Sequence, residues 1–272
     1  MSAARAAALL LLACGGAAGC ARALREPPPL VEPGGGGKEG AAGPGQVDSL
    51  LKSAAELYAA HDLRKVREAA QLFLDAARAD ATRVEALVGA ARAQIWLVDH
   101  ETEPIARREA ATSAVHAAQW CGRIDPENPA CSYWLGAALG VQARERRSTG
   151  LDALPLIEEA FKKAAVEAPT LEEGGPDRAL ALLYLRAPGW PTGPGDPDLG
   201  LMHARKAVQL SPAFPPNQLA LAEALKATGD AEESARTYQR ALDLARSRAE
   251  ARDPDASEWI EEAEKALKGE TR

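Results

Sequence analysis

Cysteine, histidine and paired carboxylates are the side chains of this sequence that could carry nucleophilic, redox or metal chemistry, and their spacing argues against catalysis. His61, His100, His116 and His203 are scattered, and no two stand at zinc-ligand spacing with a third candidate nearby. The acidic pairs Glu158-Glu159, Glu172-Glu173, Glu232-Glu233 and Glu261-Glu262 are adjacent in sequence. Neighbours on a helix diverge around its axis and cannot face one substrate together. The glycine run before Lys38 is followed by Glu39 where a phosphate loop needs Ser or Thr. No G-x-S-x-G nucleophile motif occurs. The reading is a protein without catalytic residues, metal or cofactor, one that binds and does not catalyse.

The four cysteines divide into two pairs. Cys14 and Cys20 lie in MSAARAAALLLLACGGAAGC, where Arg5 precedes an apolar run from Ala6 to Ala13 and small residues follow. That is the layout of a signal peptide, here 1–19. The run is far shorter than the roughly 20 apolar residues a membrane-spanning helix needs. Ala17-Ala18-Gly19-Cys20 resembles the lipobox of bacterial lipoproteins, which implies a diacylglycerol on the Cys20 thiol. Cys14, after Leu11-Leu12-Ala13, is the second candidate, and an ordinary secretory signal with an A-x-A-like site is the other reading. In such lipoproteins an Asp after the cysteine retains the chain in the inner membrane. Ala21 stands there instead, which implies an outer-membrane anchor facing the periplasm.

Cys121 and Cys131 flank the turn GRIDPENPA, at the end of one predicted helix and the start of the next. In an oxidising compartment they are either a disulfide, whose short loop would contribute about 3 kcal/mol, or two buried thiols.

Behind the signal, residues 20–46 hold three consecutive prolines, four consecutive glycines and almost no large apolar side chain. This composition cannot build a core and reads as a disordered tether with an end-to-end distance of roughly 28 Å. The net charge of −7 and pI near 5.3 argue against broad nucleic-acid binding. With aromatics at only 4% and alanine abundant, closely packed helices suit the chain better than a sheet.

From Val47 the apolar residues follow helical spacing, and helices are predicted near 47–61, 64–79, 83–98, 104–122, 129–145, 153–168, 176–187, 197–210, 216–228, 231–250 and 256–268. Ile124-Asp125-Pro126, Glu167-Ala168-Pro169, Leu210-Ser211-Pro212 and Arg252-Asp253-Pro254 recur at intervals of 43, 43 and 42 residues. A fixed period means stacked units, each here of about two helices. Gly195-Asp196 and Gly229-Asp230 stand 34 apart, with Ala207 paired to Ala241 and Leu210 to Leu244 in the same register. Ala222, Ser234 and Ala241 supply small contacts beside Leu225 and Tyr238, and Trp134-Leu135-Gly136 with Phe161, Ala164 and Pro169 repeats the scheme upstream with about nine residues inserted, while the middle repeat departs further through Pro188, Pro191 and Pro194. These residues resemble the tetratricopeptide repeat. The resemblance implies an all-α, right-handed α-solenoid of degenerate helix pairs over 47–269. The last helix is expected to be a solvating end cap whose Asp255 and Glu258 form a capping box.

Two segments depart from plain repeats: Glu172-Glu173-Gly174-Gly175-Pro176-Asp177-Arg178, and Ala187-Pro188-Gly189-Trp190-Pro191. Together with Asp125-Pro126-Glu127-Asn128-Pro129 before Tyr133-Trp134-Leu135-Gly136, they resemble the T component associated with TRAP-type solute transporters, a periplasmic helical lipoprotein. That resemblance implies a channel able to take a ligand, self-association into a homo-oligomer, and a periplasmic solute-binding protein as partner. Arg178, Tyr184, Arg186 and Trp190, with Trp134 from the preceding unit, are the expected partner-binding or ligand-binding set, because Arg and Trp combine area with directed polar contacts. The alternative is that Tyr184 and Trp190 pack an irregular turn while Arg178 satisfies helix-end carbonyls. Competing functions are an adaptor for pilus or envelope assembly and a carrier of a small apolar or acidic ligand.

Overall fold

The computed structural model describes residues 27–30 and 44–269. The expected signal peptide, Cys14, Cys20 and most of the tether lie outside the described residues. Among the described residues eleven helices follow one another: α1 (Pro44–Tyr58), α2 (Leu63–Ala79), α3 (Val84–His100), α4 (Pro104–Ile124), α5 (Pro129–Glu145), α6 (Arg147–Glu167), α7 (Gly175–Arg186), α8 (Pro197–Leu210), α9 (Pro215–Ala227), α10 (Ala231–Glu250) and α11 (Ala256–Leu267). The described residues hold no strand, only an isolated bridge between Gly189 and Gly195. None of these helices is long and apolar enough to cross a membrane.

The proline period marks the unit boundaries. Pro126, Pro169, Pro212 and Pro254 fall in the turns α4–α5, α6–α7, α8–α9 and α10–α11. A residue before proline is pushed toward extended backbone, which ends the helix there. Asp125, Ala168 and Ser211 accordingly share φ values of −135°, −143° and −142°. Asp80 adopts the same conformation, φ −143°, at the α2–α3 turn without a proline. Five helix pairs and a closing helix result, an all-α solenoid. Helices α1 on α3, α3 on α5, α7 on α9 and α9 on α11 pack along one side, so the odd-numbered helices form the inner layer. That packing is weakest between α5 and α7, where the Glu172–Gly174 turn intervenes.

Small residues let the pairs close. A Cβ added to Gly136 of α5 would stand 2.7 Å from the Phe161 ring of α6, so glycine is required where the large side chain of the partner helix crosses. Alanines fill equivalent contacts throughout, from Ala69 and Ala90 to Ala222 and Ala245, all sealed from solvent. Local caps are polar side chains: Asp62, Asn128, Asp196 and Asp230 each accept backbone N–H bonds at the start of their helices.

Three local outcomes differ from the pattern reading. Helix α1 begins at Pro44 and stops at Tyr58, because His61 takes a left-handed φ of +44°. Helix α6 begins at Arg147, upstream of Pro155, and tolerates that proline at the loss of one hydrogen bond to the Leu151 carbonyl. Asp255 makes no cap bond, so the expected capping box with Glu258 is not formed; both carboxylates are drawn to histidines of the first units.

Cys121 at the end of α4 and Cys131 at the start of α5 are joined in a disulfide, with their Cα atoms 5.3 Å apart. They sit in an apolar cluster with Val47, Ala77 and Leu87. Leu30 packs against the same cluster, and the Trp120 indole N–H donates to the Pro28 carbonyl at 2.8 Å. The described piece of the proline-rich segment therefore lies against the domain.

Candidate interaction site

The two irregular segments have opposite fates. In the first, Glu172, Glu173 and Gly174 take φ values of +48°, +55° and +81° in succession. Only glycine adopts such backbone freely, and two non-glycine residues there need support from their surroundings. Arg178 provides it: its guanidinium donates to the carbonyls of Glu172 and Glu173 at 3.3 and 3.5 Å and to Asn217 Oδ1 at 2.8 Å. The Asn217 amide, fully buried, donates in turn to the carbonyls of Glu173, Ala207 and Ser211 at 2.9 to 3.0 Å. The ring of Phe214 lies under Arg178 at 5.0 Å and under Arg248 at 5.6 Å. Arg178 thus braces a left-handed turn between α6 and α7.

Next to it, Asp177 is completely buried and faces His203 Nδ1 at 2.8 Å and Lys206 Nζ at 3.0 Å, tying α7 to α8. Asn217 and Asp177 are the residues that sequence reasoning missed. Both are short polar side chains on helices, with no local signal that distant carbonyls or cations await them.

Trp134 and Tyr184, expected at the surface, belong to the core. Trp134 meets Tyr133 edge-to-face at 5.0 Å, and Tyr184 stacks on His203 at 5.5 Å. The Tyr184 hydroxyl emerges on the outer side, donating to Glu158 at 2.9 Å. Burial and the Glu158 carboxylate push that hydroxyl's pKa up. Burial works to raise the pKa of Glu158, but the bonds from Lys162 and Tyr184 outweigh it and hold the carboxyl below its ordinary value. Arg186 grips Glu223 through Nε and Nη2 at 3.0 and 2.7 Å, which raises its own pKa further.

The second segment is displayed. The loop from Pro188 to Gly195 is held by backbone bonds from Thr192 and Gly193 to the Gly189 carbonyl and from Gly195 to that of Pro188. The Asp196 amide ties it back to Tyr184 O at 2.9 Å, and the Trp190–Pro191 peptide is cis. On this frame Trp190 is 89% exposed. Beside it runs a groove of about 300 Å³ lined by Leu151, Leu154, Pro155, Glu158 and Pro191 to Pro194. A second groove of about 510 Å³ continues along α6 past Lys162 to Val166. Leu151 and Val166 are exposed by 53% and 83%. An indole and aliphatic side chains flank the Glu158–Lys162 pair, a combination suited to a protein surface with mixed chemistry. Among the described residues no group of His, Cys, Asp and Glu could hold a metal ion.

The stacked helix pairs have a structural parallel. The fold is tetratricopeptide-like. The chain is similar to TTC0263, a thermophilic TPR protein of Thermus thermophilus, with a TM-score of 0.60 at 22% identity, covering 80% of this chain and 98% of that one. A structure titled MamA protein aligns with a TM-score of 0.46 at 15% identity, covering 75% of this chain and 94% of that one. No protein-family model matches the sequence, and no curated protein does. The likeness is one of fold, a solenoid of stacked helix pairs.

Proposed function

We propose that the protein is a lipid-anchored scaffold of the cell envelope that holds a periplasmic protein partner against α6 and the Pro188–Gly195 loop. The observation that carries this reading is Trp190, a large aromatic left almost wholly in water on a loop fixed by its own hydrogen bonds. A preorganised tryptophan contributes contact area at small entropic cost and is favoured at binding hot spots. Cys20 supplies the anchor at the outer membrane; the lipobox-like Ala17-Ala18-Gly19-Cys20 supports its lipidation and Ala21 supports that address. The resemblance to the T component of TRAP-type systems makes a solute-binding protein the partner of choice.

Crosslinking in intact cells followed by capture of the chain tests the reading. The wild type is expected to retain one dominant periplasmic protein and the Trp190→Ala variant to lose it, with a hot-spot loss of at least ~2 kcal/mol, or about 30-fold. Equal capture by both rejects the site. A Cys20→Ser variant is expected to leave the membrane fraction; continued membrane association of that variant rejects the anchor.

A further inference from the structure

The last helix reaches the first two units of the solenoid through polar contacts. His61, in the turn between α1 and α2, meets Asp255 Oδ1 through Nδ1 at 2.6 Å. His100, the final residue of α3, meets Glu258 Oε1 through Nε2 at 2.7 Å. Its Nδ1 faces the Trp96 carbonyl oxygen at 2.7 Å, which aims Nε2 at Glu258. Tyr58, His61, Trp96 and His100 form a ladder of rings with centroid separations of 5.2, 5.7 and 3.5 Å, so both imidazoles are held in place before α11 arrives.

Apolar packing does not cross this junction. Helix α11 rests on α9 and α10 through Leu219, Tyr238, Leu242 and Ala263, with Trp259 and Ile260. The first units are held by a different cluster, built on Val66, Phe73, Ala90 and Leu97. The second cluster runs on through α6 and α7 to Tyr184 but shares no residue with that of α11, so the two ends are joined along the solenoid and, across this junction, by the polar contacts. Half-exposed polar pairs contribute little net stability. The turn before α11 is also built differently from the others. Its proline interval is 42 residues instead of 43, and Arg252, two residues before Pro254, takes a left-handed φ of +62°. That change coincides with the one turn that delivers Asp255 to His61.

We propose that α11 is a latch. Asp255 and Glu258, diverted from capping their own helix, close the solenoid into a ring by holding His61 and His100, and their release swings the last units away from the first. Release widens access to the inner layer at Tyr58 and Trp96, which are half-buried with the latch closed. A ligand that needs this face shifts the equilibrium by its preference for that form. The outer groove with Trp190 plays no part, so the latch stands or falls apart from the partner site.

Spin labels at Lys65→Cys and Lys268→Cys, in the full chain with Cys14 and Cys20 replaced by serine, read the span between the ends. With the latch intact, a single narrow distance is expected. In the Asp255→Ala, Glu258→Ala double variant a longer, broader population is expected to rise by about tenfold, the loss of two modest hydrogen bonds. Asp255 makes no cap bond, so α11 keeps its helix start. His100→Ala, made separately, is expected to give a smaller shift in the same direction, and it decides the matter if circular dichroism shows the double variant has lost helix. An unchanged narrow distance in variants of native helical content overturns the latch. The measurement contains no partner, so failed capture through Trp190 leaves it intact.

Discussion

Glu172–Arg178 and Pro188–Gly195 lie sixteen residues apart at their starts, both rich in glycine, proline and one large polar or aromatic residue, yet the fold uses them in opposite ways. The first is turned inward: three left-handed residues are held by Arg178 and Asn217, and every strong donor there meets a carbonyl. The second is turned outward, with its backbone bonded to itself and its indole left in water. The difference teaches that backbone irregularity marks two distinct things. Where donors from neighbouring helices converge on it, the irregular turn is a brace between repeats. Where the loop satisfies its own backbone, its side chains are free for a partner.

This contrast can be broken most sharply at Asn217. Asn217→Ala removes a fully buried amide that donates to the Glu173, Ala207 and Ser211 carbonyls and accepts from Arg178, and is expected to lower stability by about 3 kcal/mol, read as the midpoint of urea unfolding. A loss below about 0.5 kcal/mol would mean that the turn holds itself. Next in size, Gly136→Ala forces a methyl into the Phe161 ring and is expected to cost about 2 kcal/mol by the same measurement. It calibrates the brace against ordinary helix-pair packing. Arg178→Ala should cost about 1.5 kcal/mol, since part of the guanidinium reaches water and solvent replaces some of its bonds.

On the display side, Trp190→Ala should change the unfolding midpoint by less than about 0.5 kcal/mol while abolishing partner capture. A large stability loss there would make the indole a packing residue and remove the contrast. The smallest effect is electrostatic. The Glu158 carboxyl is held below its ordinary value, so its contribution to stability is present above the ordinary carboxylate pKa and is lost as pH falls through the lowered one. Tyr184→Phe removes one of the stabilising bonds and is expected to raise the Glu158 titration midpoint in a carboxyl-carbon NMR titration. An unmoved midpoint would leave Lys162 as the only group that matters.

All eleven helices were legible in the sequence, though not the bounds of α1 and α6, because most boundaries are local events: a proline that cannot continue a helix, an Asp or Asn that caps one, an apolar stripe at helical period. The grouping into helix pairs was legible as well, from the proline interval of 42 to 43 residues, while the close approach of Gly136 to Phe161 came from the structure. The five residues proposed as one surface were only partly so. Trp134 and Tyr184 are amphipathic, and the same side chain serves a core or an interface equally well. Arg178 fitted either role until the carbonyls of Glu172 and Glu173 were seen to point at it.

By itself, then, the sequence determined the secondary structure, the repeat and the absence of recognisable catalytic motifs, all of which follow from interactions within a few dozen residues. Tertiary structure alone decided which of the two odd segments is buried, and it alone turned Asp255 and Glu258 from a cap into a contact with His61 and His100. The physical reason is range. A carboxylate at a helix start has a local partner available in any fold, and the competing partners, 194 residues from Asp255 and 158 from Glu258, exist only after the stacking of five helix pairs has curved the chain back on itself.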